Sequence, residues 1–156
     1  MRFIQSLMVG VLVLMALGES AAADEFMING GSCIPANDIY SVYNNTSGTM
    51  TSGSGAIVEC WFPVPELSSS PSHLYLLFKK SNADGGISVV YSRMSKATGQ
   101  FSVPIAVVDA DDESPSNDVK YLDVSFSDSY DPANYIYMVG VSFDHSSTVF
   151  YATSVY

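Results

Sequence analysis

The stretch His73-Leu74-Tyr75-Leu76-Leu77-Phe78-Lys79 decides the fold of this chain. Leucine and phenylalanine occupy its even positions, and they share one face of an extended strand because side chains alternate with a period of two. Tyrosine and leucine at the odd positions make the opposite face apolar as well. A strand that is apolar on both faces is typical of the interior of a sheet. The sequence therefore predicts an inner β-strand here.

The segments that follow predict hairpins. Asn82–Gly86 has the composition of a tight turn, with glycine where φ would be positive. Ile87–Met94 alternates again, so we expect it to return as the partner of the first strand. Tyr135–Phe143 and Thr148–Tyr156 predict a closing hairpin around residues 144–147 in the same way.

Four further segments alternate or are rich in β-branched and aromatic residues: Ile39–Val42, Ala56–Phe62, Phe101–Val108 and Val119–Ser127. Pro104 lies inside the third and predicts an edge strand or a bulge, because proline donates no hydrogen bond to a ladder. The total of about eight strands, without a convincing helical period, predicts an all-β, single-domain antiparallel β-sandwich. A closed barrel is disfavoured because proline- and serine-rich breaks separate the strands into two sheets.

The N-terminus has the three parts of a signal peptide in the right order. Arg2 supplies the positive charge, Met8–Leu17 is an apolar run, and Ala21-Ala22-Ala23 offers the small side chains that signal peptidase needs. We expect cleavage after Ala23, which makes residues 1–23 the signal peptide and residues 24–156 the β-sandwich domain. A retained membrane anchor is the alternative, but the run is shorter than the roughly 20 residues that span a bilayer.

The composition limits the function classes. The formal net charge is −10, and 47% of the residues are hydrophobic, which is too much for a disordered chain. An acidic chain is a poor partner for nucleic acid and for anionic membranes, because both are polyanions. The charge favours solubility and cationic partners, metal ions included.

Cys33 and Cys60 are the two cysteines of the chain. An even number of cysteines in an exported protein predicts a disulfide. The bridge would close a loop of about 27 residues and stabilise the fold by something on the order of 3 kcal/mol in the chain-entropy model. Zinc binding is disfavoured because isolated cysteines lack the paired spacing of a zinc site.

Both cysteines lie next to prolines. The pattern consists of Gly31-Ser32-Cys33-Ile34-Pro35 and, after a Gly/Ser/Asn-rich stretch, Val58–Pro65 with the sequence Val-Glu-Cys-Trp-Phe-Pro-Val-Pro. It resembles small exported bacterial proteins of unknown function that carry a Cys-x-Pro and a Cys-x-x-Pro-x-Pro step. The resemblance implies export and a Cys33–Cys60 bridge, and it implies no activity.

The acidic loop is the candidate metal site. Asp109, Asp111 and Glu113 are clustered carboxylates, whose repulsion a hard cation such as calcium relieves. The EF-hand pattern fails, because Ser114 stands where that loop needs glycine and Lys120 stands where it needs glutamate. The alternative is a solvated acidic turn between strands, so calcium is a weak hypothesis and no other cofactor is expected.

The tyrosines are the candidate partner surface. Tyr135 and Tyr137 share a strand face, with Tyr121 and Tyr151 as further members. Such rings stack on sugars or anchor a protein partner. They also simply fit a half-buried pleated surface, and this second interpretation is preferred.

No catalytic motif is present. His73 and His145 are the two histidines, and neither lies in a recognisable triad or nucleophile elbow. The sequence therefore favours an exported, non-catalytic β-domain with a binding or structural role. A secreted hydrolase with an unrecognised site and a calcium-stabilised or carbohydrate-binding module remain as alternatives.

Overall fold

The computed structural model describes residues 25–32, 43–44, 50–51, 58–144 and 147–156, and these form two antiparallel β-sheets. Within these ranges the chain has no α-helix, and residues 30–32 form one 3₁₀ turn. The strands are β1 (Phe26–Asn29), β2 (Tyr43–Asn44), β3 (Met50–Thr51), β4 (Val58–Pro63), β5 (His73–Lys80), β6 (Ile87–Ser95), β7 (Ala106–Asp109), β8 (Lys120–Ser125), β9 (Tyr135–Phe143) and β10 (Thr148–Val155).

The predicted all-β antiparallel sandwich is confirmed. One sheet has the order β2-β3-β10-β5-β8, with β1 also paired to β10, and the other has the order β4-β9-β6-β7. The described residues contain more than the expected eight strands because three short ones, β1 to β3, give too few residues for a periodic signal. The predicted strand Ile39–Val42 lies outside the described residues.

The core lies between the two sheets, as the alternation predicts. β5 is an inner strand between β10 and β8, and the side chains of Leu74, Leu76 and Phe78 are fully buried. Burial of side chains of this size stabilises a fold by about 1.5–3 kcal/mol each. Phe143 and Phe150 meet in the same layer with ring centroids 6.4 Å apart.

Both predicted hairpins are wrong. β5 and β6 belong to different sheets, and so do β9 and β10. The chain therefore passes from one sheet to the other after β5 and again after β9. The two links meet where the amide of Ser81 donates to the carbonyl of Ser147 at 3.0 Å. Alternation identifies a strand but not its partner, and a link of this length spans the roughly 10 Å between packed sheets.

The predicted reason for glycine in the turn 82–86 is also wrong. Among the described residues, only Gly99 has a left-handed φ, at 69°. A Cβ at position 86 would overlap the carboxylate of Asp111, so that side chain would have to move aside for any residue other than glycine.

The edge position predicted for the strand around Pro104 is confirmed, but its predicted bounds, Phe101–Val108, are wrong. β7 is an edge strand of its sheet, and it begins at Ala106, beyond the proline. Phe101, which was expected inside that strand, makes a single bridge to Met94 instead.

The signal peptide, residues 1–23, lies outside the described residues, and so does Cys33. The Cys33–Cys60 bridge therefore stays a prediction, and Cys60 itself is buried in β4. Within the described ranges, no helix is long and apolar enough to cross a membrane.

Candidate functional site

The outer face of the four-stranded sheet carries the candidate site. Its inward-facing side chains are buried, so the residues between them point outward in register across the strands. Two neighbouring rows result. The platform row is Trp61, Gly140, Val90 and Val107, and the polar row is Glu59, Ser142, Ser88 and Asp109.

Trp61 lies across its cross-strand neighbour Gly140. A Cβ at position 140 would stand 2.8 Å from Cη2 and Cζ3 of the indole and 2.9 Å from Cε3. Glycine is therefore what allows the ring to rest on the sheet, and the ring in turn covers Gly140. The indole remains 44% exposed, which is unusual for so large an apolar group.

Phe101 extends the aromatic surface from the loop between β6 and β7. Its ring centroid lies 5.6 Å from that of Trp61 at an interplanar angle of 49°, and 53% of the residue is exposed. The loop turns at Gly99 and is held to β6 by the amide of Ser102, which donates to the carbonyl of Arg93 at 2.9 Å. This loop thus places a second aromatic ring beside Trp61.

A groove runs from the aromatic rings along β6 and β9. Its first part has a volume of about 140 Å³, and its walls are Glu59, Trp61, Ser88, Val90, Gly140, Val141 and Ser142. A second cavity of about 110 Å³ shares Ser88 and Ser142 with the first and ends at Asp111 and Asp144. The groove therefore has an aromatic end, a middle of serine hydroxyls and an acidic end.

The acidic end is held in place by its surroundings. The amide of Gly86 donates to Oδ1 of Asp144 at 2.9 Å. Burial, followed by the charges of Asp109 and Asp144, raises the pKa of Asp111. Lys80, which donates to the carbonyl of Asp111 and lowers that pKa, opposes the effect without cancelling it.

The three carboxylates predicted to bind calcium, Asp109, Asp111 and Glu113, do not all lie together. Oδ1 of Asp109 accepts the amide of Asp111 at 2.9 Å, whereas Glu113 turns away to pair with Lys120 at 3.2 Å. Among the described residues, no group of three or more His, Cys, Asp and Glu side chains converges as a metal site would. Calcium binding by this loop stays a prediction.

His73 lies on the outer face of the other sheet. Its Nδ1 is 3.1 Å from Oδ1 of Asp123, and its ring stacks on Tyr156 with centroids 5.1 Å apart. The hydroxyl of Tyr156 donates to Asp123 at 3.0 Å, and this bond raises the pKa of Tyr156. Ser125 is the cross-strand neighbour of His73, but the hydrogen bonds of the described residues include none between its hydroxyl and the imidazole. His145 lies outside the described residues.

The predicted tyrosine surface is divided between the interior and the opposite sheet. Tyr135 and Tyr137 share a face as expected, but that face points inward: Tyr137 is 2% exposed and packs 5.7 Å from Tyr91. Tyr121 is 69% exposed on the six-stranded sheet, where it stacks near Tyr75 at 6.0 Å. Neither group borders the groove.

The aromatic residues of the groove were missed at the sequence level. The alternation along β4 could have indicated them. Val58 and Cys60 face the core, so Glu59 and Trp61 share the outer face. The glycine that admits the ring is far away in sequence, so only the strand register reveals it.

Comparison with known proteins identifies solved structures of similar fold. No family model and no curated protein sequence matches this chain. The chain is similar in fold to the xylan-binding module CBM15. The TM-score is 0.52 at 11% sequence identity, and the match covers 86% of this chain and 97% of the module.

Two further solved structures are similar more loosely. One is the family 11 carbohydrate-binding module of the cellulase Lic26A-Cel5E of Clostridium thermocellum, with a TM-score of 0.48, 10% identity, and coverage of 86% of this chain and 95% of that one. The other is the Stig cyclase Fisc of Fischerella sp. TAU, with a TM-score of 0.42, 13% identity, and coverage of 88% and 87%. The likeness to CBM15 shows the shared β-sandwich fold.

Proposed function

We propose that this chain is an exported, non-catalytic carbohydrate-binding protein that holds a polysaccharide in the groove on its four-stranded sheet. The observation that carries the proposal is the half-exposed indole of Trp61, held against Gly140 at the aromatic end of that groove. The similarity in fold to a xylan-binding module supports it.

The platform row supplies the apolar contact. One face of a pyranose ring presents C–H groups, and these pack against the π-face of an aromatic ring in an arrangement that water cannot match. Trp61 provides the main surface, and Phe101 borders it. Val90 and Val107 continue the apolar row across the sheet.

The polar row supplies orientation. Ser88 and Ser142 can each donate and accept hydrogen bonds, and Glu59 accepts them from sugar hydroxyls. A mostly apolar groove with a few placed polar groups is the general design of small-ligand sites. The groove is open along β6 and β9, which suits a chain of sugars better than an isolated one.

A fluorescence titration tests the proposal directly. Trp61 is the sole tryptophan of the chain, so its emission reports on the groove alone. Xylohexaose and cellohexaose are the probes, because xylan is what the similar module binds and glucose adds only a hydroxymethyl group to the same ring. We expect a saturable change in Trp61 emission with at least one of them. Emission unaffected by both sugars would contradict the proposal.

The non-catalytic part of the proposal rests on the described residues. They bring together one histidine–carboxylate contact, His73 with Asp123, and it lies on the opposite sheet from the groove. Ser125 is the cross-strand neighbour of His73, but no hydrogen bond joins the two side chains. We expect either hexaose to remain intact after prolonged incubation, as measured by chromatography. Release of shorter sugars would instead support the hydrolase alternative.

A further inference from the structure

We propose that the groove selects uncharged glycans and rejects those that carry carboxylates. The inference rests on the proposed function, since it concerns which sugars the same groove accepts. It follows from the arrangement of charge along the groove.

Four carboxylates border the groove on the same side of the sheet. Glu59 and Asp109 end the polar row, and Asp111 and Asp144 line the acidic end. Ser88 and Ser142 lie between them, so a sugar seated on the hydroxyls has anionic groups at both ends of its row.

Little positive charge opposes them. Among the described residues, neither part of the groove has a basic side chain in its wall. Lys80 is the nearest ammonium, and it lies buried behind the groove, where it donates to the carbonyl oxygens of Ala110 and Asp111. The other described basic side chains lie elsewhere: Arg93 binds Asp128, Lys96 binds the carbonyl of Pro132, Lys120 binds Glu113, and Lys79 belongs to the opposite sheet.

The clustered negative charges affect the ionisation of one of the four carboxyl groups, that of Asp111. Asp109 and Asp144 raise the pKa of Asp111 in addition to the effect of its burial, even though Lys80 acts in the opposite direction. A carboxylate on a bound sugar would join this group and meet the same repulsion.

Neutral sugars meet no such cost. Their hydroxyls donate to the carboxylates of the groove, and hydrogen bonds to charged acceptors are stronger than those between neutral groups. A sugar carboxylate has no proton to donate at neutral pH, so it gains no such bond. The same four residues therefore favour one class of glycan and disfavour the other.

Three β-1,4-linked hexaoses test the inference, because they differ at a single position of the ring. Xylohexaose has no C6, cellohexaose has a hydroxymethyl group there, and the hexamer of glucuronic acid has a carboxylate. We expect the glucuronate hexamer to bind about ten-fold or more weakly than cellohexaose at low salt, with the difference shrinking several-fold in about 0.5 M NaCl.

A charge-neutralised variant separates the groove from the net charge. The triple variant E59Q/D111N/D144N removes three of the four carboxylates, and it should lose most of the discrimination against the glucuronate hexamer. The control E25Q/E66Q/D118N changes the net charge equally through exposed residues away from the groove, and it should discriminate as the wild type does.

The outcomes are distinguishable. Equal binding of cellohexaose and the glucuronate hexamer overturns the inference and leaves the proposed function intact. Binding of xylohexaose alone also overturns it, because size at C6 and not charge would then be selected. If none of the three binds, the proposed function fails, and the inference fails with it.

Discussion

At the scale of single residues, Gly140 sets the position of Trp61. A methyl group there would stand 2.8 Å from two indole carbons, so the Gly140→Ala variant must push the ring off the sheet. We expect the emission maximum of the variant to shift to longer wavelength, and its affinity for a bound hexaose to fall about ten-fold, as a displaced anchor residue implies. An unchanged emission spectrum together with unchanged affinity would mean that the ring does not depend on Gly140.

Asp111 provides a pH-dependent prediction. Its pKa is raised in the folded protein by burial and then by Asp109, so its ionisation opposes folding. Stability is lost as the pH rises through that folded-state pKa, and the Asp111→Asn variant should escape this loss. We expect a higher Tm for the variant at pH 7, with the advantage vanishing below about pH 3, where the carboxyl is protonated in both states.

Thermal unfolding followed by circular dichroism across this pH range checks the prediction. Asp84→Asn is the matched control, since Asp84 is exposed in the neighbouring turn and should give no such gain. A variant at position 111 that is less stable than the wild type at pH 7 would contradict the sign of the effect.

At the scale of elements, the loop between β6 and β7 depends on one backbone conformation. Gly99 has a φ of 69°, and open space surrounds the position of a Cβ. The Gly99→Ala variant should therefore lose about 1–2 kcal/mol of stability through backbone strain alone. Urea unfolding measures this, and Gly99→Asn should cost less because asparagine tolerates the conformation. A fully neutral alanine variant would show that the turn can relax.

Strands were predictable from the sequence, but their partners were not. The even positions of β5 and the positions 122, 124 and 126 around β8 face the core as their alternation indicated. The links at 82–86 and 144–147 looked like hairpin turns, yet they join different sheets. Turn composition reports a local reversal of the chain, whereas sheet membership depends on pairing with distant strands.

The residues of the candidate site were even less predictable from the sequence than the strand partners. Trp61 and Gly140 lie on β4 and β9, and only strand pairing brings them together. Tyr135 and Tyr137 were surface candidates because they share a strand face, but Tyr137 lies in the core, where its hydroxyl accepts a hydrogen bond from the amide of Asp131 at 2.7 Å. Exposure of an aromatic ring depends on its register, and the sequence does not report it.

At the scale of the whole molecule, the predicted export and the predicted disulfide can be checked together. The secreted chain should begin at Asp24 and should lack two hydrogens through a Cys33–Cys60 bridge. Intact mass measured under non-reducing and reducing conditions tests both. A product that retains residues 1–23 would contradict cleavage, and a mass unchanged by reduction would contradict the bridge.

The acidity of the chain affects the choice of partners as well as solubility. The net charge of −10 disfavours polyanionic partners in general, and four carboxylates border the groove. The composition predicted the first effect, but the second required the sheet that brings distant acidic residues to one surface.

Calorimetric titration of the Trp61→Ala variant, with whichever hexaose the wild type binds, tests most directly whether the groove binds glycan. We expect affinity to fall by about 30-fold or more, which corresponds to the roughly 2 kcal/mol that a buried aromatic anchor contributes. Tyr121→Ala removes a more exposed ring from the opposite sheet and should bind as the wild type does. Undiminished binding by Trp61→Ala, or loss of binding by Tyr121→Ala instead, would contradict the assignment of the groove as the glycan site.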